Sequence, residues 1–167
     1  MNIFGKPVSE YVSFTKWILW LIVIVFVARL ALSLAGLPNT DVKWLSVTGA
    51  AFVGLVYCAV RVPLTGFGGY RHLLPLFVLQ GAVANLLIAG AILLAMARGV
   101  DNIYSAPEYS GGVDGKTWTH AGAHLVLGIA IGPLVVWLVG AGIMFIVKKV
   151  SPSASTAPSA VPGGNPR

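Results

Sequence analysis

The chain has 167 residues, of which 57% are hydrophobic and 10% charged, with a formal net charge of +6. Soluble domains carry about 25% charged residues, so this chain has too few charges to cover a water-facing surface, and its apolar content must face lipid. The positive balance does not point to nucleic acid, because no basic stripe with interleaved aromatics is present.

A membrane span needs about 20 mostly apolar residues, rising 1.5 Å each, to cross roughly 30 Å of hydrocarbon. The first such run extends from about Lys16 to Gly36 and ends in the breaker Leu37-Pro38-Asn39. Ser33-Leu34-Ala35 has the small residues of a signal cleavage site. The apolar stretch nevertheless exceeds the ~7–15 residues of a signal core, and Arg29 interrupts its far end, so it reads as an uncleaved span. The second run, about Val42 to Val62, stops at Pro63. In the following turn, PLTGFGGYRH, the Gly-Lys-Ser/Thr of a nucleotide-binding loop is missing. Gly66, Gly68 and Gly69 are expected to supply positive φ angles there. Arg61 and Arg71 are expected to meet anionic headgroups, each worth about 1 kcal/mol.

The third run covers about His72 to Ala97. The loop GVDNIYSAPEYSGGVDGKTW follows, with Tyr104, Tyr109 and Trp118 among its turns, and is long enough to fold back as a cap over the helix ends. The fourth run, about Thr119 to Val147, is closed by Lys148 and Lys149, a second pair suited to headgroups. Pro133 should kink it near mid-membrane and free a carbonyl. The tail SPSASTAPSAVPGGNPR, residues 151–167, has no apolar periodicity and is expected to be disordered.

These runs predict an all-α, four-transmembrane-helix bundle over residues 1–150, since lipid offers backbone groups no partner and no barrel-like alternation is visible. Lys6, Lys16, Arg61, Arg71, Lys148 and Lys149 fall at one side of it. Lys43, Arg98 and Lys116 fall at the other, beside Asp41, Asp101, Glu108 and Asp114. The positive-inside rule then puts both termini in the cytoplasm, and the sparse acidic residues suit a bacterial inner membrane. Trp17, Trp44 and Trp118 sit near three boundaries, where amphipathic rings favour the headgroup layer.

Polar groups within spans are functional-site candidates because their burial is costly. Arg29 lies about two turns inside the outer end of the first span. His120 and His124 stand one turn apart at the start of the fourth. By depth, Arg29, Ser33, Thr48, His120 and His124 stack into one layer, with Asn85 as its floor and Gln80 nearer the cytoplasm. Stripes of small residues share these faces: Ala50, Gly54 and Cys58; Gly81, Asn85 and Ala89; and His120, His124, Gly128 and Gly132. Such stripes let helices approach closely, within the bundle or against a protein partner or second copy.

Several readings of the histidine pair follow from its surroundings. A metal would need a third ligand, with Asp114 or Glu108 best placed. An axial haem pair would need His72, which lies a bilayer away. Arg29 with titrating imidazoles could bind an anion or a quinone oxygen. In the plainest reading, His120 caps its helix and His124 satisfies a neighbouring one. Cys58, the single cysteine, reads as a packing residue and excludes an intrachain disulfide. No paired carboxylates lie within a span, and no Ser/His/Asp set is present. No metal or cofactor is assigned. The expected role is a non-catalytic accessory or scaffold component of a membrane assembly. The alternative is a binder or carrier of a small anionic or quinone-like ligand at an outer Arg/His pocket, and a metal- or haem-binding redox subunit stands behind both.

Overall fold

A computed structural model describes residues 1–151, and most of the tail expected to be disordered lies outside them. The first helix, α1, runs from Val8 to Leu34 and so begins a full two turns before the apolar run at Lys16. It can start there because the preceding residues fold onto the bundle. Asn2–Ile3 pairs antiparallel with Lys6–Pro7, and Phe4 and Gly5 between them both have positive φ, 50° and 86°. That is the backbone a two-residue hairpin turn requires.

A short helix, α2 (Asn39–Val42), precedes α3 (Val47–Leu64), whose N-cap Ser46 accepts a hydrogen bond from the Gly49 N–H at 3.1 Å. The third span is α4 (Tyr70–Arg98), ended by Gly99 in the left-handed region. The fourth begins as α5 (Trp118–Ala123), passes without interruption through a π-helical segment (His124–Ile131) and ends as α6 (Gly132–Val150). Pro133, expected to kink the span, lies just beyond this π segment. Proline has no N–H to give the carbonyl of Ile129 and its ring crowds it. The turn before it widens accordingly, and the Gly132 N–H reaches back five residues to the Leu127 carbonyl.

All four spans are long and apolar enough to cross a membrane, with mean hydropathy between 1.7 and 2.5. α1 packs on α3 and α4, and the fourth span packs on the same two helices. The apolar windows of the second and third spans are 39% buried, against 17% for the first and fourth. α3 and α4 therefore form the centre, and α1 and the fourth span flank it. Apolar side chains left outside, such as Ile24, Val27, Val126 and Leu138, form the lipid-facing surface.

One end of the bundle is closed by the N-terminal hairpin. Tyr11 donates its hydroxyl to the Ile3 carbonyl at 2.9 Å. His72 accepts from the Gly69 N–H at Nδ1, 3.0 Å, and donates from Nε2 to the Phe4 carbonyl, 3.3 Å. Of the turn glycines expected to need positive φ, Gly66 does, at 66°. Gly68 is required for a different reason: a Cβ there would stand 2.5 Å from the His72 ring. Gly69 is the extended N-cap of α4. The basic side chains gather at this end. Lys148 lies over the Tyr70 ring at 4.6 Å and Arg71 over Phe4 at 5.5 Å, while Arg61 and Lys149 are exposed.

At the opposite end the long loop does fold back as a cap, with residues 102–106 buried. Asn102 donates to the Ala91 carbonyl of α4 at 2.8 Å and accepts from the Tyr104 N–H at 2.9 Å. The Ile103 N–H donates to Ser33 Oγ on α1 at 2.9 Å. Lys116 bridges Asp101 at 2.6 Å and Asp114 at 3.1 Å, holding the loop's two arms together.

Candidate functional site

The expected layer of polar residues divides between two places, because depth along a helix does not decide which side of it a residue occupies. The first place lies where α4 meets the start of the π segment. Asn85 Nδ2 donates to the Gly81 carbonyl at 2.9 Å, which turns the amide oxygen toward the fourth span. His124 Nδ1 lies 2.9 Å from that oxygen. An amide oxygen can only accept, so His124 carries a proton on Nδ1, and the neutral ring then keeps its lone pair on Nε2. His120, whose ring centroid is 5.1 Å from that of His124, donates from Nδ1 to the Gly115 carbonyl at 3.0 Å. Both imidazoles thus present Nε2 as the free ring atom. Thr117, not His120, caps the helix through its hydroxyl, which accepts from the His120 N–H at 3.1 Å.

Glycine makes this meeting geometrically available. A Cβ on Gly128 would fall on the Asn85 amide, and one on Gly81 would stand 3.0 Å from Pro133 Cγ and 3.1 Å from the Gly128 carbonyl. The small-residue stripes of α4 and the fourth span therefore pack against each other. On α3, Gly54 likewise makes room for the Gln80 amide and Ile18.

A cavity of about 320 Å³ opens beside the Asn85–His124 pair, between α3, α4 and the fourth span. Ala84, Leu55, Phe77 and Pro133 give it apolar walls, and Gln80, Asn85 and His124 are its polar lining groups on α4 and the fourth span. Thr48 and Phe52, both exposed, stand at its rim, so the cavity reaches the lipid-facing surface.

Gln80 also belongs to a polar knot that the sequence reading missed. Its Nε2 lies 3.4 Å from Thr15 Oγ1 on α1 and 3.4 Å from Cys58 Sγ on α3. Thr15 and Cys58 are fully buried. The available signal for Thr15 was its place on the inward stripe Tyr11, Thr15, Ile18, Ile22 and Phe26, which follows the helical period. Cys58, expected as a packing residue, is a buried thiol beside Gln80.

Arg29 occupies the second place. It does not line the cavity with His124. Its helix, α1, lies across the central pair from the fourth span, and its guanidinium turns up under the long loop after α4 instead. Cζ stands 5.1 Å from the Tyr104 ring centroid and 5.9 Å from that of Tyr109. Tyr104 is stacked on Phe26 at 5.2 Å, and Ser33 anchors the same loop through Ile103. Burial pushes the Tyr104 phenol up from 10.0 to about 12, with the Arg29 charge pulling it partway back. Arg29 and Ser33 thus belong to the cap, whereas Thr48, Asn85 and His124 belong to the cavity and His120 stands beside it.

The acidic side chains considered as third metal ligands are engaged elsewhere. Asp114 pairs with Lys116, which holds its carboxyl below the usual value of 3.8, and Glu108 accepts from Asn39 at 3.3 Å. Among the described residues, no three His, Cys, Asp or Glu side chains come together to hold a metal ion. His72, the one histidine outside the pair, is fixed at the far end of the bundle.

Comparison with family models, curated proteins and solved structures finds no match to this chain.

Proposed function

We propose that this chain is a non-catalytic membrane protein that binds a small, mostly apolar molecule with a hydroxyl head, of the phenol or quinol kind, between α3, α4 and the fourth span. The observation that carries this reading is the Asn85–His124 hydrogen bond of 2.9 Å at the cavity wall. Asn85 fixes the imidazole tautomer, so Nε2 is an acceptor, and an acceptor in apolar surroundings selects a ligand that brings an O–H donor. At about 320 Å³ the cavity has room for one ring-sized head. A longer apolar tail would leave past Thr48 and Phe52 into lipid.

An anionic ligand is less well supported at this cavity, since Arg29 stands elsewhere. The small-residue stripes that favour a scaffold role are taken up by contacts within the chain at Gly54, Gly81 and Gly128. A bacterial inner membrane with both termini cytoplasmic remains the preferred setting, on the excess of Lys and Arg at the hairpin end.

The test is ligand-observed NMR of detergent-solubilised protein with a small alkylated hydroquinone. Binding should weaken roughly three- to tenfold in His124→Leu, the value of one hydrogen bond. It should be lost in Ala84→Leu, which fills the cavity. Absence of binding to the unaltered chain, or equal binding in all three proteins, would overturn the reading.

A further inference from the structure

We propose that Arg29 and Tyr104 form a binding site for one phosphate-type oxyanion beneath the outer loop, separate from the α3–α4 cavity. Two donors there lack what their surroundings ordinarily supply. Arg29 Nε is buried without a hydrogen-bond partner, and so is the hydroxyl of Tyr104, a residue only 7% exposed. Buried polar atoms of this kind are rare because an unmade hydrogen bond costs more than a made one returns.

The aromatic contacts do not remove the deficit. Tyr104 and Tyr109 lie against the guanidinium at 5.1 and 5.9 Å and stabilise its charge through their ring faces. The N–H groups, however, lie in the guanidinium plane and need acceptor oxygens at its edge. No carboxylate supplies them among the described residues. Asp101 and Asp114 share Lys116, and Glu108 accepts from Asn39. A positive fork, a phenol donor beside it and no anion within ion-pair distance together describe a receptor for a tetrahedral oxyanion, whose several oxygens can accept from both.

The location suits this ligand. Arg29 lies five residues before the end of α1 at Leu34, about 7.5 Å at 1.5 Å per residue, so its long side chain reaches the headgroup level. The oxyanion could be borne by a lipid headgroup or be free in solution, and the chemistry recognised is the same.

The experiment measures binding to the full chain in detergent by native mass spectrometry and thermal shift. Three probes are used: inorganic phosphate, a short-chain phosphatidylglycerol, and a diacylglycerol of the same chains. Phosphatidylglycerol or phosphate should bind, and diacylglycerol should not. Binding should fall roughly tenfold or more in Arg29→Gln and severalfold in Tyr104→Phe, in keeping with loss of charge-assisted donors. Response to phosphatidylglycerol alone assigns the oxyanion to a lipid, and response to inorganic phosphate assigns it to a free ion. Tyr104→Phe keeps the ring stacked on Phe26 and removes one oxygen, so it decides the matter if Arg29→Gln does not fold. The proposal is overturned if neither phosphate probe binds, if diacylglycerol binds as well as phosphatidylglycerol, or if binding is unchanged in the variants that fold.

Discussion

The Asn85–His124 pair and the Arg29–Tyr104 pair treat buried polarity in opposite ways. Asn85 has both ends of its amide engaged, with Gly81 and with His124, yet a cavity of about 320 Å³ lies beside it. Arg29 and Tyr104 are covered by a folded loop, yet each has a buried polar atom without a partner. The first place has its hydrogen bonds and offers space, so its selectivity must come from shape and a single acceptor. The second offers donors and charge, so its selectivity must come from electrostatics. These are different kinds of recognition.

The largest expected effect separates the two directly. Gly128→Leu drives a side chain into the Asn85 amide and should destabilise the protein by about 2–5 kcal/mol, combining overpacking with a displaced hydrogen bond. Unfolding in a denaturing detergent measures this, and hydroquinone binding should disappear with it. Oxyanion binding near Arg29 should persist in whatever fraction remains folded. A variant as stable as the parent would show that the helices do not approach at this glycine.

Asn85→Leu is milder. It leaves the His124 Nδ1–H without an acceptor and should cost about 1–3 kcal/mol. Nitrogen NMR of the imidazole should show the proton on Nδ1 in the parent and a shift toward Nε2 in the variant. An unchanged tautomer would mean that Asn85 does not orient the ring.

The smallest effect lies on the other side of the comparison. The Tyr104 phenol is raised from 10.0 to about 12, chiefly by burial, so the folded chain favours its neutral form. That contribution is complete below pH 10 and is lost as pH rises through about 12. Phenolate absorbance should show a late-titrating tyrosine near 12 that is lost in Tyr104→Phe. If every tyrosine ionises together near the ordinary value, the loop does not seal Tyr104.

Several of the candidate residues were legible in advance, though their grouping was not. Asn85, His124 and Thr48 were singled out as polar residues at membrane depth, and all three line the cavity. Arg29 was singled out on the same grounds, but nothing in its depth could reveal that it turns toward Tyr104 and not toward His124. Thr15 was passed over because one hydroxyl in an apolar run looks incidental until Gln80 and Cys58 are seen around it. The N-terminal hairpin escaped for a similar reason. Two-residue strands carry no periodicity, and they are held by Tyr11 and His72 from elsewhere in the chain.

What the residues alone determined was everything that follows from hydropathy and rise per residue. This includes four spans, their approximate ends apart from the start of the first, and the gathering of basic side chains at one end. What only the tertiary structure decided was the order of helices around the bundle and the direction each polar side chain faces. The physical reason is that lipid tails and a helix-packed interior are almost equally apolar, so an apolar residue does not announce which of them it will meet. Close packing at Gly54, Gly81 and Gly128 makes that choice, and it places α1 and the fourth span on opposite flanks of α3 and α4.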